Sequence, residues 1–315
     1  MVRWLVQATG PILEPVSPDM QSPADAVVVG VESAARTGLV ADLAVHALLE
    51  EAKLTPKPAL VDRRGGGAHD DMDLGMLFSS AYALHPTFRD LATRAYGCAP
   101  SRWLREELAT IGRRGEAAMF AVTGGVNTHR GAIWALGLLT AAAVMAPADV
   151  LLADIAALAG RVASFTDCCA PTEVSHGSLV SRRYGVAGAR GEARRGFPNV
   201  VDVALPVLRA TREAGHPERL ARLDALIALI AHVDDTCLLH RGGRPALRAA
   251  QAGARAVMAV GSNATAAGRR AARSLEMTLL RHNASPGGSA DLLAAALLLD
   301  ALNRPSAGVV IEEVA

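Results

Sequence analysis

One uninterrupted apolar segment constrains the fold of this chain more than any other feature. Residues 131–148 contain no charged side chain, and their length just reaches the roughly 18 residues that a membrane-spanning helix needs. The segment is rich in alanine and glycine and carries Thr140 and Pro147. This composition favours a helix buried in a protein core over a membrane segment.

The overall composition agrees with a helical core. Apolar residues make up 51% of the chain and aromatic residues only 3%, which favours closely packed helices over sheets. A chain of 315 residues can bury a large core as one or two domains. Because the sequence shows no βαβ alternation, repeat period or low-complexity linker, we predict an all-α fold: a single compact domain of roughly ten helices with functional inter-helix loops.

The predicted all-α catalytic domain spans residues 26–305, between a loosely ordered leader at 1–25 and a C-terminal tail at 306–315. Two prolines and a glutamate interrupt the apolar start before a signal-peptide core could form. The four cysteines have no CxxC spacing, which is typical of a reduced protein. We therefore expect a cytoplasmic location.

Helical periodicity marks most of the chain. It predicts one helix over Leu39–Leu54, one from the aspartates near residue 73 to Leu84 that Pro86 closes, and one that Ser101 caps. Further helices are predicted at 129–146, 148–164, 199–214, 217–236, 244–260, 263–282 and 289–302. Only AVVVGV at 26–31 has the pattern of a strand, and an earlier start of the following helix is the open alternative.

Polar and glycine residues gather in five joints between these helices. Because 32 basic and 31 acidic residues nearly cancel, no overall field steers the protein onto nucleic acid or an anionic membrane, and any anion site must be local. Loops carry binding chemistry on a rigid helical frame, so five such loops suggest one composite site. The joints lie at 55–73, 123–132, 175–198, 234–243 and 283–294.

The joint TPKPALVDRRGGGAHDDMD, residues 55–73, holds the densest chemistry. Flanking prolines stiffen the chain around Lys57, and Gly65–Gly67 can expose N–H groups to a phosphate. His69 lies four residues before Asp73, and Asp71 and Asp73 could bind Mg²⁺ together with substrate phosphates. A solvated lysine and an ordinary acidic first helical turn remain the open alternatives.

The joint TGGVNTHRGA, residues 123–132, resembles an anion cradle. Gly124-Gly125 makes a turn, Asn127 or Thr128 caps the following helix, and His129 and Arg130 occupy its first turn. An ordinary capped helix with an exposed arginine is the alternative.

The remaining joints add cations and acids. Five arginines between residues 175 and 198 suit a polyphosphate, although a basic surface patch is equally open, and the scarcity of aromatic residues argues against base stacking on nucleic acid. Residues 234–243 offer Asp235 and Arg241. In the last joint Ser289 caps a predicted helix with Asp291 in its first turn, and pure capping is the alternative reading there.

Several catalytic motifs are absent from the sequence. Without GxSxG, GxGxxG, CxxC or HExxH, acyl-serine hydrolysis, nicotinamide chemistry, thiol exchange and zinc catalysis lack support. The residues favour an all-helical, Mg²⁺-assisted enzyme that acts on phosphorylated substrates.

The chain resembles the triphosphoribosyl-dephospho-CoA synthases over most of residues 40–300. The form PKPAL, together with SHGS and RRYGV, resembles the malonate decarboxylase branch of that family rather than the citrate lyase branch. The matching segments are EEAKLTPKPALVDRRGGGAHDDMD, TGGVNTHRGAIWALGLL, SHGSLVSRRYGVAGAR, GFPNVVDVALP, DDTCLLHRGG and NASPGGSADLLAA.

The resemblance implies a transferase with two substrates, ATP and 3′-dephospho-CoA. The 5-triphosphoribosyl group of ATP would move to the 2′-hydroxyl of 3′-dephospho-CoA, with release of adenine. The product would pass to a transferase that modifies the acyl carrier protein of malonate decarboxylase or citrate lyase. No nucleic acid or membrane is implied, and a homodimer is one open assembly.

The resemblance also assigns site residues. Catalytic roles would fall to Glu51, His69, Asp71 and His129, and Mg²⁺ ligation to Asp71, Asp73 and Asp235. Substrate contacts would come from Lys57, Arg63, Arg64, Gly66, Gly67, Gly124, Gly125, Asn127, Thr128, Arg130, Arg182, Arg183, Arg190, Arg241, Ser285 and Gly287. The rival functions are an all-α Mg²⁺-dependent N-glycosidase or ADP-ribosyl hydrolase, and a helical nucleotide-binding module without catalysis.

Overall fold

The computed structural model describes residues 23–147, 150–170 and 176–303, with side chains from residue 32 onward. The tail predicted at 306–315 and nearly all of the leader predicted at 1–25 lie outside these residues.

The described residues form thirteen α-helices and no strand, which confirms the predicted all-α class with a few more helices than expected. A π-helical turn at Asn199–Ala204 leads into α9, and a short 3₁₀ helix at Ser262–Ala264 precedes α12. The helices are α1 Pro23–Lys53, α2 Leu74–Ala83, α3 His85–Ala95, α4 Arg102–Val122, α5 Arg130–Met145, α6 Leu152–Ser164, α7 His176–Tyr184, α8 Gly188–Arg194, α9 Leu205–Glu213, α10 Glu218–His232, α11 Thr236–Ala259, α12 Ala266–Arg281 and α13 Gly287–Leu302.

Helices α1, α5 and α13 pack against one another at the centre of the molecule. In α5 every residue from Ala132 to Val144 except Trp134 is buried, so the uncharged segment is the central helix that its composition predicts. Within the part of the chain that the structure describes, no helix is long and apolar enough to cross a membrane. One hydrophobic cluster runs from Val40 in α1 to Leu299 in α13, so the described chain is a single compact domain.

The strand pattern at AVVVGV does not become a strand, because residues 26–31 belong to α1, which is the alternative of an earlier helix start. The valines favour a strand locally, but a strand without a partner leaves its backbone groups unpaired. A helix satisfies these groups internally, and α1 therefore begins at Pro23 rather than at the predicted Leu39.

Pro86 begins a helix instead of closing one. Helix α2 ends at Ala83, and α3, which the sequence did not predict, starts at His85 with Pro86 in its first turn. The missing N–H of proline costs nothing there, because the first N–H groups of a helix have no intrahelical acceptor.

Two predicted joints contain helix. Residues 176–184 and 188–194 form α7 and α8, and α11 continues from Thr236 through the joint at 234–243. The expected break lies at Gly243, whose non-helical backbone (φ 62°, ψ −164°) divides α11 into two helical segments, and the second segment agrees with the helix predicted at 244–260. Ser289 lies inside α13, which begins at Gly287, so Ser289 is not the predicted N-cap.

Candidate active site

A buried ion pair marks the end of α1. The Lys57 ammonium donates to the Glu51 carboxylate (Nζ–Oε1 2.7 Å) and to the Glu51 carbonyl at 2.9 Å. Lys57 is only 1% exposed, so it is not the solvated lysine that was the open alternative, and its phosphate contact stays a prediction. Its ammonium gives the buried Glu51 carboxylate a positively charged partner.

Asp62 fixes the loop that carries Lys57. Its carboxylate accepts the backbone N–H of Lys57 at 2.8 Å and side-chain hydrogen bonds from Arg64. Arg64 continues outward to Glu276 on α12, with two contacts of 2.7 and 3.1 Å. The loop therefore has an inner side, towards Glu51, and an outer side, towards α12, and the Arg64 guanidinium lies on the outer side.

His129 is a buried imidazole with one nitrogen left open. Its Nδ1 lies 2.7 Å from Ser80 Oγ, which accepts the Thr128 hydroxyl at 2.6 Å. Nε2 has no partner within the described chain. Burial, with the nearby Lys57 ammonium, lowers the pKa of His129 to about 3, so the ring is neutral. Because Thr128 donates its hydroxyl to Ser80 Oγ, the Ser80 hydroxyl donates to His129 Nδ1, and the hydrogen of the neutral ring is therefore on Nε2.

Asp291 brings α13 against the N-terminus of α5. Its carboxylate accepts the backbone N–H of Ala132, and a Cβ at Gly131 would lie 2.0 Å from its Oδ2. Burial, together with the carboxylates of Glu51 and Asp235, raises the pKa of Asp291 well above its usual value. Two carboxyl groups with unlike surroundings, Glu51 and Asp291, thus lie close enough to influence each other electrostatically.

Asp235 caps two helices at once. Oδ1 accepts the N–H of Cys237 in α11 at 2.8 Å, and Oδ2 accepts the N–H and hydroxyl of Ser289 in α13 at 2.8 and 3.0 Å. The N–H groups of Leu238 and Gly288 add longer contacts of 3.4 and 3.3 Å. Because both oxygens are occupied by backbone donors, the geometry does not fit the predicted Mg²⁺ ligand.

Arg241 joins the glycine-rich loop to α11. It donates to the Ala68 carbonyl at 2.6 Å and to His69 Nδ1 at 2.9 Å, while Asp71 Oδ1 is farther from Nδ1, at 3.7 Å. Burial and the Arg241 charge lower the pKa of His69. Residues from two predicted joints therefore meet, with His69 held as a neutral ring.

The two remaining acidic candidates suit Mg²⁺ held jointly with a substrate. The side chain of Asp71 is 62% exposed, and Asp73 caps α2 through one oxygen, which accepts the Met76 N–H at 2.7 Å. The described residues contain no group of three His, Cys, Asp or Glu side chains able to hold a metal by themselves. Mg²⁺ is commonly bound by one or two carboxylates completed by phosphate oxygens and water, so this loop fits it.

Most groups of the anion site predicted at the N-terminus of α5 are already bonded to other groups of the protein. Asn127 Oδ1 accepts the Arg130 N–H at 3.2 Å, which is a capping contact, and the Arg130 guanidinium pairs with Glu116 on α4 at 2.9 Å. Gly124 and Gly125 form an exposed turn with φ of 62° and 91°. The Arg130 side chain is thus directed to α4 rather than to His129.

The other predicted contacts have mixed positions. A Cβ at Gly66 or Gly67 would lie 2.2 Å from the His69 carbonyl or 2.5 Å from the Ala59 carbonyl, so both glycines permit the tight loop. Ser285 is buried, and its hydroxyl has no partner within the described chain. Arg63, Arg182, Arg183 and Arg190 are exposed, Arg183 lies against the Tyr184 ring, and Gly287 packs on Cys237.

Ser80 and Asp291 are the side chains that the sequence did not place among the site residues. Ser80 orients His129 from α2, and no sequence motif marks it. Asp291 carried a signal, an acid in the first turn of a predicted helix, but its contacts with Gly131 and Ala132 arise only in the folded chain.

Residues 37–309 match the family described as ATP:dephospho-CoA triphosphoribosyl transferase. Three relatives carry the name probable 2-(5″-triphosphoribosyl)-3′-dephosphocoenzyme-A synthase. The one from Azotobacter vinelandii is 56% identical over 264 residues, 83% of this chain and 90% of its own. The one from Pseudomonas fluorescens is 54% identical over 269 residues, 85% and 92% of the two chains. The one from Stutzerimonas stutzeri is 54% identical over 266 residues, 84% and 91% of the two chains. No solved structure matches. This chain therefore belongs to the ATP:dephospho-CoA triphosphoribosyl transferase family and is a transferase of the triphosphoribosyl-dephospho-CoA synthase class.

Proposed function

We propose that this enzyme moves the 5-triphosphoribosyl group of ATP onto the 2′-hydroxyl of 3′-dephospho-CoA and releases adenine. The observation that carries the proposal is that Glu51, bound to the Lys57 ammonium, lies within electrostatic reach of Asp291, a buried carboxyl group whose pKa is raised. Breaking an N-glycosidic bond needs one group that supports the positive sugar and one that protonates the departing base.

Glu51 supports the sugar and receives the proton of the acceptor. Its carboxylate, paired with the Lys57 ammonium, would stabilise an oxocarbenium-like ribose. As the 2′-hydroxyl of 3′-dephospho-CoA forms the new bond to the ribose, the same carboxylate takes its proton.

Asp291 and His129 assist the departure of adenine. The raised pKa of Asp291 favours its protonated form, so it would protonate the base as the bond breaks. His129 is a neutral ring whose buried Nε2 has no partner in the described chain, and it would donate a hydrogen bond to the base. These roles refine the assignment of acid/base work to the histidines.

The loop at 63–73 would hold the triphosphate. Asp71 and Asp73 are the side chains that would bind Mg²⁺, which neutralises phosphate charge when present. Arg241 orients His69 at the start of this acidic segment. The triphosphate remains intact, so this part of the site only positions it.

The product would serve as the precursor of a carrier-protein prosthetic group. The forms PKPAL, SHGS and RRYGV support malonate decarboxylase, rather than citrate lyase, as the pathway that uses it. A second transferase would attach the product to the acyl carrier protein.

Mass spectrometry of an incubation with ATP, Mg²⁺ and 3′-dephospho-CoA tests the proposal. We expect a dephospho-CoA adduct that carries the triphosphoribosyl group and an equal amount of adenine, formed only when both substrates are present and stopped by chelation of Mg²⁺. Adenine release from ATP alone would indicate a hydrolase. ATP binding without any turnover would indicate a binding module, and either result contradicts the proposal.

A further inference from the structure

A cavity lies on the outer side of the loop that carries Lys57, away from Glu51. Its volume is about 410 Å³, and it is enclosed by the loop, the start of α10 and the side of α12. Apolar groups form much of its lining, contributed by Pro56, Pro58, Leu220, Leu223, Ala264 and Ala272.

Four guanidinium groups surround this apolar lining, belonging to Arg64, Arg219, Arg269 and Arg273. The only carboxylate among the lining residues is Glu276, and it is bound at both oxygens by Arg64. Arg273 is exposed and has no hydrogen-bond or ion-pair partner among the described residues. The cavity therefore combines an excess of positive charge with apolar surface.

Lys57 separates the cavity from the catalytic groups by a single loop. Its ammonium contacts Glu51 on the inner side, and its carbonyl accepts a hydrogen bond from Arg64 (Nη2–O 3.3 Å) on the outer side. Pro56 and Pro58, on either side of Lys57, line the cavity. A ligand long enough to pass this loop could reach both places.

We propose that this cavity binds the diphosphate and pantetheine arm of 3′-dephospho-CoA, an inference that rests on the proposed function. The enzyme must hold two polyanions apart, the triphosphate of ATP and the diphosphate of the acceptor. Guanidinium groups suit the diphosphate, and the uncharged pantetheine chain with its geminal methyl groups suits the apolar lining. The ribose of the acceptor then lies towards Glu51.

Two variants test the cavity, and a third is the matched control. Ala272→Trp fills the space, and Arg273→Ala removes the unpartnered cation. Arg270→Ala removes a neighbouring exposed arginine of α12 that does not line the cavity. Isothermal titration with 4′-phosphopantetheine, 3′-dephospho-CoA and Mg-ATP measures each ligand separately, without turnover.

We expect Arg273→Ala to weaken binding of 3′-dephospho-CoA and 4′-phosphopantetheine about tenfold, the loss of one charge-assisted contact. Ala272→Trp should weaken both further, and neither variant should change the affinity for Mg-ATP. Arg270→Ala should bind all three ligands like the wild type.

Unchanged affinity for 4′-phosphopantetheine in folded Ala272→Trp and Arg273→Ala proteins would overturn the cavity assignment while leaving the proposed reaction intact. Wild-type protein that binds 3′-dephospho-CoA but forms no adduct would contradict the proposed reaction instead. An equal loss of Mg-ATP binding in both variants would assign the cavity to ATP.

Discussion

At the scale of single residues, burial sets the protonation states on which the proposed chemistry depends. Glu51 and Asp291 are chemically similar carboxyl groups, but one contacts an ammonium and the other lies against a helix backbone and further carboxylates. Pairs of acids whose environments differ in this way can divide acid and base roles between them. The Lys57 ammonium, which contacts Glu51, is the group that makes the surroundings of the two carboxyl groups different.

Asp291→Asn should lower the activity of the enzyme while raising its stability relative to the wild type as pH rises. We expect the rate of adduct formation to fall by about 10² to 10⁴, because the general acid is lost. Because burial and the neighbouring carboxylates raise the pKa of Asp291, the native carboxyl binds its proton more tightly than the unfolded chain does, so wild-type stability declines as pH rises above about 4, the ordinary pKa of an aspartate. The variant has no proton to lose, so its melting temperature relative to that of the wild type should increase as pH rises from this value. A difference in melting temperature that does not change with pH would contradict the raised pKa.

His129 should make the protein sensitive to acid. Its pKa is about 3 in the native state and near 6.5 when unfolded, so between these pH values the unfolded chain binds a proton that the native ring does not bind. Stability is therefore complete above pH 6.5 and declines as pH falls towards 3, by as much as about 5 kcal/mol. Urea unfolding of wild type and His129→Asn across this range measures the effect. The variant should lose less stability on acidification, and parallel pH curves would refute the assignment.

At the scale of elements, one carboxylate aligns the N-termini of two helices. Asp235 accepts N–H groups from α11 and α13, and α13 in turn positions Asp291 against α5. Helix N-termini have N–H groups without intrahelical acceptors, so a buried carboxyl group that accepts them from two helices stabilises both. The contact between α11 and α13 at Asp235 thereby helps to place Asp291, the proposed general acid.

Replacing Asp235 by Ala should cost about 3–5 kcal/mol of unfolding free energy, since several buried backbone donors would lose their acceptor. Asp73→Ala is the matched control, because Asp73 caps only α2 and is exposed, and its loss should cost about 1 kcal/mol. Chemical denaturation of both variants gives the two numbers. Equal losses of unfolding free energy would show that Asp235 stabilises the protein no more than a cap on a single helix does.

A helix could be predicted where residues close together in the chain determine it, and not where contacts with distant residues do. The periodic patterns that became α4, α10 and α12 were recognised, because an apolar stripe is formed by residues close together in the chain. The strand pattern at 26–31 did not become a strand, and Pro86 begins a helix where it was expected to close one. These outcomes depended on more distant structure: the described residues contain no strand with which 26–31 could pair, and a second helix, α3, follows α2.

At the scale of the whole molecule, one hydrophobic cluster connects the helices that carry the site. Because residues from α1, α5, α11 and α13 share this cluster, the groups that meet at Glu51 are held by a common core. The near-zero net charge gives no long-range attraction for anionic substrates, so recognition depends on local cations.

The shared core predicts cooperative unfolding. Far-ultraviolet circular dichroism and tryptophan fluorescence should report the same urea midpoint and slope, because Trp134 lies on the central helix α5 while helicity is spread over the whole chain. Two separated transitions would show that part of the described chain folds independently of this core.

The sequence by itself determined the all-α class, the buried central helix and the family, because composition, periodicity and ordered motifs are properties of adjacent residues. It also identified the loops that carry His69, Asp71 and His129 and the helix that carries Glu51, while their catalytic roles remain predictions. Only the tertiary structure decided which way Lys57 and Arg64 face and that Asp291 lies beside Glu51. The direction of a side chain and the pKa of a buried acid depend on neighbours that are distant in the chain, and those neighbours exist only after the helices have packed.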